Sequence, residues 1–303
     1  MGGAAGQSGF ASQIQEVGPR DGFQIIERFI PTEIKLETID LLVKAGLSKI
    51  QITSFVSPKA VPQMSDAAEV TRVCLERYPD SLLFALVPNL RGARGAVEAG
   101  LREVAVVLSL SESHNKANVG KSVAESVEET KRIRETFPDL RIAQDIATAF
   151  GCPFEGKMEL PPLMELIHQL SDIGIGEFTL CDTVGTAHPT QVKTVFETVG
   201  AAFPGAVFNV HIHDTRNMGM LNTYIAMKHG AKGLQSSAGG LGGCPFAPGA
   251  SGNTATEDLV YMLREEGFDT GVDFGRLLDA ARFLKRHVQG NYSGHHIMIE
   301  EQE

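Results

Sequence analysis

The sequence predicts an α/β fold, a closed (β/α)8 TIM barrel with one additional helix near its C-terminus. Short apolar, β-branched runs alternate with amphipathic segments, and this alternation is typical of parallel strands joined by crossover helices. Eight such units follow one another within about 250 residues, the usual size of this barrel. The first strand-to-helix turn, "GPRDGFQ", lacks the G-x-G-x-x-G spacing of an open doubly wound sheet, which is the alternative fold.

The elements follow from the same periodicities. Strands are expected at residues 12–17, 48–53, 81–87, 103–110, 140–146, 177–182, 206–213 and 232–237. Helices are expected at 32–46, 65–78, 91–100, 122–136, 160–174, 189–202, 217–229 and 253–266, and the additional helix at 274–288. The first helix has Thr32 as its candidate N-cap and Gly46 as its end.

Composition limits the classes of function. The chain has 303 residues, 43% of them hydrophobic, and a formal net charge of −10. The uninterrupted pattern predicts one catalytic domain over 1–303, with 1–10 as a flexible leader. Nucleic-acid binding is not expected because the chain has no basic stripe. Membrane binding is not expected because no apolar run approaches the ~20 residues of a span.

The cysteines indicate the compartment. Cys74, Cys152, Cys181 and Cys244 are widely spaced and form no Cys-x-x-Cys pair, which argues against a disulfide framework. The N-terminal "MGGAAGQSG" does not resemble a signal peptide. We therefore expect a cytoplasmic protein. The sequence leaves its oligomeric state open, and a homodimer or homotetramer is compatible with it.

Polar side chains collect at the predicted C-terminal ends of the strands, where barrel enzymes carry their active sites. They include Arg20 and Asp21 after the first strand, Gln51 and Ser54 on the second, Asp182 on the sixth, and His211 and His213 on the seventh. We expect Gln51, Ser54 and Asp182 to contact the substrate.

The run "HIHDT" points to a metal. His211 and His213 are two positions apart on one strand, so both imidazoles project to the same side. Two neutral imidazoles and a carboxylate can bind a divalent cation. Asp21 and Asp182 are the best placed carboxylates, and Asp214 is a candidate to orient one ring. The alternative is a histidine pair satisfied by hydrogen bonds, but the strand-end position favours a metal.

The stretch "SSAGGLGGCPFAPGASGN", residues 236–253, follows the eighth strand. Glycine allows positive φ and close approach of the backbone to a ligand. A glycine-rich loop at the mouth of a barrel is typical of a mobile lid or a phosphate cradle. Cys244 lies within it, and a buried structural role is less expected there than for Cys181 in its strand.

Four motifs together resemble the 3-hydroxy-3-methylglutaryl-CoA (HMG-CoA) lyase family. They are "EVGPRDGFQ", "TSFVSPKAVPQM", "NVHIHDT" and "GGLGGCPFAPGASGNTATEDLVYML". The wider superfamily of metal-dependent TIM-barrel lyases and synthases shares the Arg-Asp and His-x-His motifs, whereas the cysteine loop is specific to the lyase branch. The resemblance extends from about residue 14 to about residue 287.

The resemblance implies a retro-Claisen cleavage of a 3-hydroxyacyl-CoA, with Mg²⁺ or Mn²⁺ as the cofactor. The implied metal ligands are Asp21, His211, His213 and Asn253. Asp21 or His211 would act as the base, Arg20 would stabilise the thioester enolate, and Cys244 or His211 would protonate it. Glu257 would support the closed loop, and the CoA tail would lie near the loop from Ser111 to Lys121.

Two positions depart from the family pattern. Gln51 replaces the usual glutamate of the second strand, and the histidine motif continues as "DTRNMG", with Arg216, in place of Asp-Thr-Tyr-Gly. Both changes favour negative charge in the substrate, so Gln51 and Arg216 are candidate substrate contacts. A lyase for another 3-hydroxy diacid thioester, such as citramalyl-CoA, is therefore an alternative. A condensing synthase and a catalytically silent CoA-ester-binding barrel are more distant alternatives.

Overall fold

Eight parallel strands pair in chain order, and the last strand pairs with the first to close the barrel. The computed structural model describes residues 12–243 and 252–299. The strands are β1 (Gln13–Glu16), β2 (Lys49–Ser54), β3 (Leu82–Val87), β4 (Glu103–Ser109), β5 (Arg141–Ala147), β6 (Glu177–Asp182), β7 (Val207–Ile212) and β8 (Gly233–Ser236). The predicted TIM barrel is confirmed. The expected leader and Cys244 lie outside the described residues.

Helices surround the strands. They are α1 (Thr32–Lys44), α2 (Ala67–Arg77), α3 (Leu90–Glu98), α4 (Glu112–Val119), α5 (Val123–Thr136), α6 (Leu160–Asp172), α7 (Pro189–Ala202), α8 (Gly219–Lys228), α9 (Thr256–Glu265) and α10 (Phe274–His287). The last is the predicted additional helix, and it packs against α1 and α9. In the described part of the chain, no helix has the length and apolar character needed to cross a membrane.

The helix α4 was not predicted from the apolar periodicity. This short helix, "ESHNKANV", lacks an apolar stripe and lies where a loop was expected. Its ends carry the signals that define it: the Ser111 hydroxyl accepts from the His114 N–H at 3.1 Å, and Gly120 ends the helix with φ 72°. A small hairpin, in which Gly151–Cys152 pairs with Gly156–Lys157, was also not predicted.

The interior of the barrel is unusually polar. Lys49 on β2 contacts Glu177 on β6 at 3.3 Å and Glu103 on β4 at 2.7 Å. These strands are not neighbours, so the three side chains meet inside the barrel. Interiors of this fold are normally filled by branched apolar side chains. Apolar packing therefore does not account for these charged side chains inside the barrel.

Candidate metal centre and active site

The turn after β1 positions Arg20 and Asp21. Residues Gly18–Gly22 form one turn of π-helix, in which the Asp21 N–H donates to Val17 O at 2.7 Å. Buried Glu16 fixes this turn: its Oε1 accepts from the N–H groups of Gly18 at 2.7 Å and Ala238 at 3.0 Å. Burial raises the pKa of Glu16 to about 7, although these hydrogen bonds lower it. Glu16 thus joins the turn after β1 to the segment after β8.

Three side chains converge at the mouth. Asp21, His211 and His213 are buried, and each offers a ligand atom within 4.8 Å of the others. His213 Nε2 lies 4.0 Å from Asp21 Oδ2 and 3.1 Å from His211 Nε2. Two nitrogen ligands at right angles, each about 2.1 Å from one cation, would be about 3 Å apart. The spacing therefore suits a shared metal ion.

The protonation states of Asp21, His211 and His213 also favour a metal ion at this site. Burial lowers the pKa of His211 to about 4 and also lowers that of His213. Burial alone would raise the pKa of Asp21, but Arg20 and neighbouring groups outweigh it and lower the value to about 2. At neutral pH the cluster therefore contains one carboxylate and two neutral imidazoles, which is the form that binds a cation.

Asn253 completes the cluster from the other side. It forms an isolated bridge with His213, and its Nδ2 donates to Asp21 Oδ2 at 2.8 Å and to Leu241 O at 3.1 Å. Asn253 Oδ1 is buried and accepts no hydrogen bond from residues 12–243 or 252–299. An unsatisfied amide oxygen beside a carboxylate and two imidazoles fits a divalent cation with mixed oxygen and nitrogen ligands.

Arg20 links the metal cluster to Gln51. The guanidinium is buried, and it donates from Nε to Gln51 Oε1 and from Nη1 to Asp21 Oδ1. On β2, Gln51 Nε2 and Ser54 Oγ are buried and have no hydrogen-bond partner within the described ranges. Buried polar groups in native proteins are normally paired, so these atoms are free for a polar ligand. Burial raises the pKa of Asp145 to about 6, although Arg20 lowers it.

Other predicted site residues have different partners. Both carboxylate oxygens of Asp182 accept backbone N–H groups, from Thr186 at 3.0 Å and Ala187 at 2.9 Å, and Asp182 is not part of the metal cluster. Arg216 Nη1 donates to the carbonyl oxygens of Val184 at 3.1 Å and Gly185 at 3.0 Å. These two residues therefore bind the loop after β6, and their substrate contacts stay a prediction.

The expectation that Asp214 orients an imidazole is wrong. Its Oδ1 accepts from the Gly219 N–H at 2.6 Å, at the start of α8. Gln235 on β8 occupies the expected position instead, because its Oε1 lies 3.1 Å from His211 Nδ1. Only the register of β7 and β8 identifies this residue, since the residue of β8 paired with His211 is Gln235.

Glu257 and Ser293 form hydrogen bonds with the segments that flank residues 244–251. Glu257 is buried, and its Oε2 accepts from the Gly239 N–H at 2.8 Å. Its support of the closed loop stays a prediction. Ser293, which the sequence analysis did not identify, donates from Oγ to Gly240 O at 3.3 Å and Asn253 O at 3.2 Å. The chain after α10 therefore joins the two flanking segments.

Comparisons with known proteins agree with this geometry. A family model described as HMGL-like matches residues 11–284. Over 277 residues the chain is 43% identical to the hydroxymethylglutaryl-CoA lyase YngG of Bacillus subtilis, covering 91% of this chain and 92% of that protein. A crystal structure of the B. subtilis HMG-CoA lyase superposes with a TM-score of 0.90 at 40% identity, covering 95% of this chain and 97% of that one. An HMG-CoA lyase from Acinetobacter baumannii, in complex with coenzyme A and 3-methylmalate, gives a TM-score of 0.90 at 38% identity and covers 98% and 96%.

Proposed function

The chain belongs to the HMGL-like family of carbon–carbon lyases, and we therefore propose that it cleaves HMG-CoA to acetyl-CoA and acetoacetate with Mg²⁺ or Mn²⁺ bound. The observation that carries the proposal is the convergence of Asp21, His211 and His213 beside the buried Arg20. Asn253 would supply a fourth ligand through its unpaired amide oxygen. A cytoplasmic location stays a prediction from the cysteine pattern.

The chain's own residues perform the proton transfers. A divalent cation at this site would polarise the tertiary hydroxyl of the substrate and lower its pKa. Asp21, unprotonated at neutral pH, accepts the hydroxyl proton, since the lone pair of His211 is used as a metal ligand. The C2–C3 bond then breaks, C3 becomes the ketone of acetoacetate, and the bonding pair forms the acetyl-CoA enolate. Arg20 stabilises the enolate oxygen, and Cys244 donates a proton to C2.

The test of the substrate is a panel assay. The metal-loaded protein is given HMG-CoA, citramalyl-CoA and other 3-hydroxyacyl-CoA thioesters, and products are identified by mass spectrometry. We expect acetyl-CoA and acetoacetate from HMG-CoA. If no member of the panel is cleaved, the proposed lyase activity is wrong.

Cys244→Ser is expected to lower turnover by about 10²–10⁴-fold, the usual contribution of a general acid. Mn²⁺ affinity should stay close to that of the unchanged protein, because the thiol acts on the enolate and is not a ligand. Both are measured on one preparation, by steady-state kinetics and by calorimetry. An equal loss of Mn²⁺ affinity would show that Cys244 serves the metal site. Cys74→Ser is the matched control, since this buried thiol lies in α2 on the outside of the barrel.

A second candidate substrate is a diacid thioester whose carboxylate is placed differently. The observation that favours it is Gln51: its Oε1 accepts from Arg20, which leaves the buried Nε2 as an unpaired donor. A glutamate at this position would offer an acceptor there. The A. baumannii relative, bound to coenzyme A and 3-methylmalate, accommodates a hydroxy diacid. The unpaired amide donor can bind a substrate carboxylate by a hydrogen bond.

Gln51→Glu is expected to shift the ratio of kcat/KM for citramalyl-CoA over HMG-CoA about tenfold toward HMG-CoA. Loss of one hydrogen bond to a charged group and gain of a repelling charge amount to about 1.5 kcal/mol or more. Competition assays with both thioesters measure the ratio directly. A native preference for HMG-CoA that Gln51→Glu leaves unchanged would eliminate the second candidate and leave HMG-CoA as the substrate.

A further inference from the structure

A single hydrogen bond decides which nitrogen of His211 is available to a metal. His211 Nδ1 lies 3.1 Å from Gln235 Oε1, and His211 Nε2 lies 3.1 Å from His213 Nε2. A neutral imidazole has one N–H and one lone pair, and an amide oxygen can only accept. We infer that Gln235 is a positioning residue: it holds His211 in the Nδ1–H tautomer, with the Nε2 lone pair directed at the metal cluster.

This tautomer requires that the side-chain amide of Gln235 keeps its orientation. A hydrogen bond to Gln15, on β1, holds it there. Gln235 Nε2 donates to Gln15 Oε1 at 3.3 Å. Gln15 Nε2 and Asn209 Oδ1 both lie where a side chain on Gly233 would be. Only glycine leaves room for the two amides at this point of β8. A flipped Gln235 would present a donor to His211 and an acceptor to Gln15.

The series of amides ends at a charged cluster deeper in the barrel. Asn209 Nδ2 donates to Glu177 Oε1 at 2.9 Å. That carboxylate is also 3.3 Å from Lys49 Nζ, which lies 2.7 Å from Glu103 Oε1. A carboxylate paired with a lysine can only accept. Asn209 must therefore direct its NH₂ group at Glu177 and its oxygen away from Glu177. Glu177 thus orients Asn209, whose Oδ1 lies, like Gln15 Nε2, against Gly233.

The tautomer of His211 decides whether this residue can be a metal ligand. In the other tautomer of His211 the Nε2–H would face the cation, and His211 could not be a ligand. Residues that orient metal-binding imidazoles in this way contribute about 10–100-fold in metal affinity. The inference rests on the metal site of the proposed function, but it does not depend on which acyl-CoA is cleaved.

The experiment compares the tautomer of His211 and the Mn²⁺ affinity in full-length variants. Long-range ¹H–¹⁵N spectra of metal-free, ¹⁵N-histidine-labelled protein report the tautomer, and His211→Asn identifies its signals. We expect His211 in the Nδ1–H form in the unchanged protein. Gln235→Met should populate both tautomers and raise the Kd for Mn²⁺ about 10–100-fold. Gln235→Glu, which keeps the acceptor, should restore the tautomer and most of the affinity.

The matched control is Gln144→Met. Gln144 is also fully buried on a barrel strand, but its amide binds Val106 O at 2.7 Å and Thr130 at 3.0 Å, away from the metal cluster. This control should leave the His211 tautomer and the Mn²⁺ affinity unchanged. If Gln235→Met does not fold, Gln15→Met serves instead, with a smaller change of the same sign.

The inference would be overturned by an Nε2–H tautomer in the unchanged protein, or by an unaltered tautomer and Mn²⁺ affinity in Gln235→Met. An equal effect of Gln144→Met would do the same, because the change would then reflect general destabilisation. Failure to cleave HMG-CoA, with the tautomer and Mn²⁺ results as expected, would count against the proposed substrate alone.

Discussion

Asp21→Asn is expected to abolish Mn²⁺ binding at micromolar concentration and to lower turnover by about 10³-fold or more. The substitution removes the one anion among the ligand atoms and leaves Arg20 next to two neutral imidazoles. A bound cation contributes several kcal/mol to stabilising developing charge, and each 1.36 kcal/mol is a factor of ten in rate. Calorimetry with Mn²⁺ and steady-state kinetics measure the two effects.

The control for Asp21→Asn is Asp66→Asn. Asp66 is likewise a buried carboxylate paired with one cation, since its Oδ1 lies 2.8 Å from Lys35 Nζ. This variant should lose stability and keep the metal. If Asp21→Asn binds Mn²⁺ as tightly as the unchanged protein, the metal site lies elsewhere.

Arg20→Lys is expected to lower kcat by about 10²–10³-fold, the usual cost of losing one donor to a developing oxyanion. The guanidinium donates to Gln51 and Asp21 at once, and a lysine ammonium cannot reproduce that planar, two-sided geometry. The positive charge beside Asp21 is kept, so Mn²⁺ affinity should change little. Parallel measurement of kcat and of the Mn²⁺ Kd separates the two roles.

Arg134→Lys provides the comparison for Arg20→Lys. Arg134 also donates from one guanidinium to two acceptors, the carbonyl oxygens of Pro138 and Leu140, but it does so at the end of α5. Its replacement should leave kcat unchanged. A kcat for Arg20→Lys close to that of the unchanged protein would remove Arg20 from the mechanism.

The barrel and the metal cluster were predictable because each depends on a local rule. The alternation of strands and helices requires only the periodicity of apolar residues, and the same-side placement of His211 and His213 requires only the two-residue repeat of a strand. Barrel closure then brings Asp21, at the end of β1, beside them. The resemblance to the lyase family added Asn253, which no local pattern indicated.

Residues defined by distant partners were not predictable in the same way. Gln235 orients His211 only because the register of β7 and β8 places them together, and Glu16 matters because the loops after β1 and β8 meet over it. Asp214 shows the opposite error. Because Asp214 follows His213 in the sequence, it was expected to hydrogen-bond an imidazole. Its carboxylate accepts instead from the Gly219 N–H at the start of α8.

The most direct measurement is turnover of HMG-CoA by protein that has first been stripped of metal with a chelator. We expect no cleavage until Mn²⁺ or Mg²⁺ is added, and then acetyl-CoA and acetoacetate in equal amounts. The same titration on Asp21→Asn should give no recovery. Full activity of the stripped protein, or no activity after Mn²⁺ and Mg²⁺ are restored, would contradict a metal-dependent HMG-CoA lyase built on Asp21, His211 and His213.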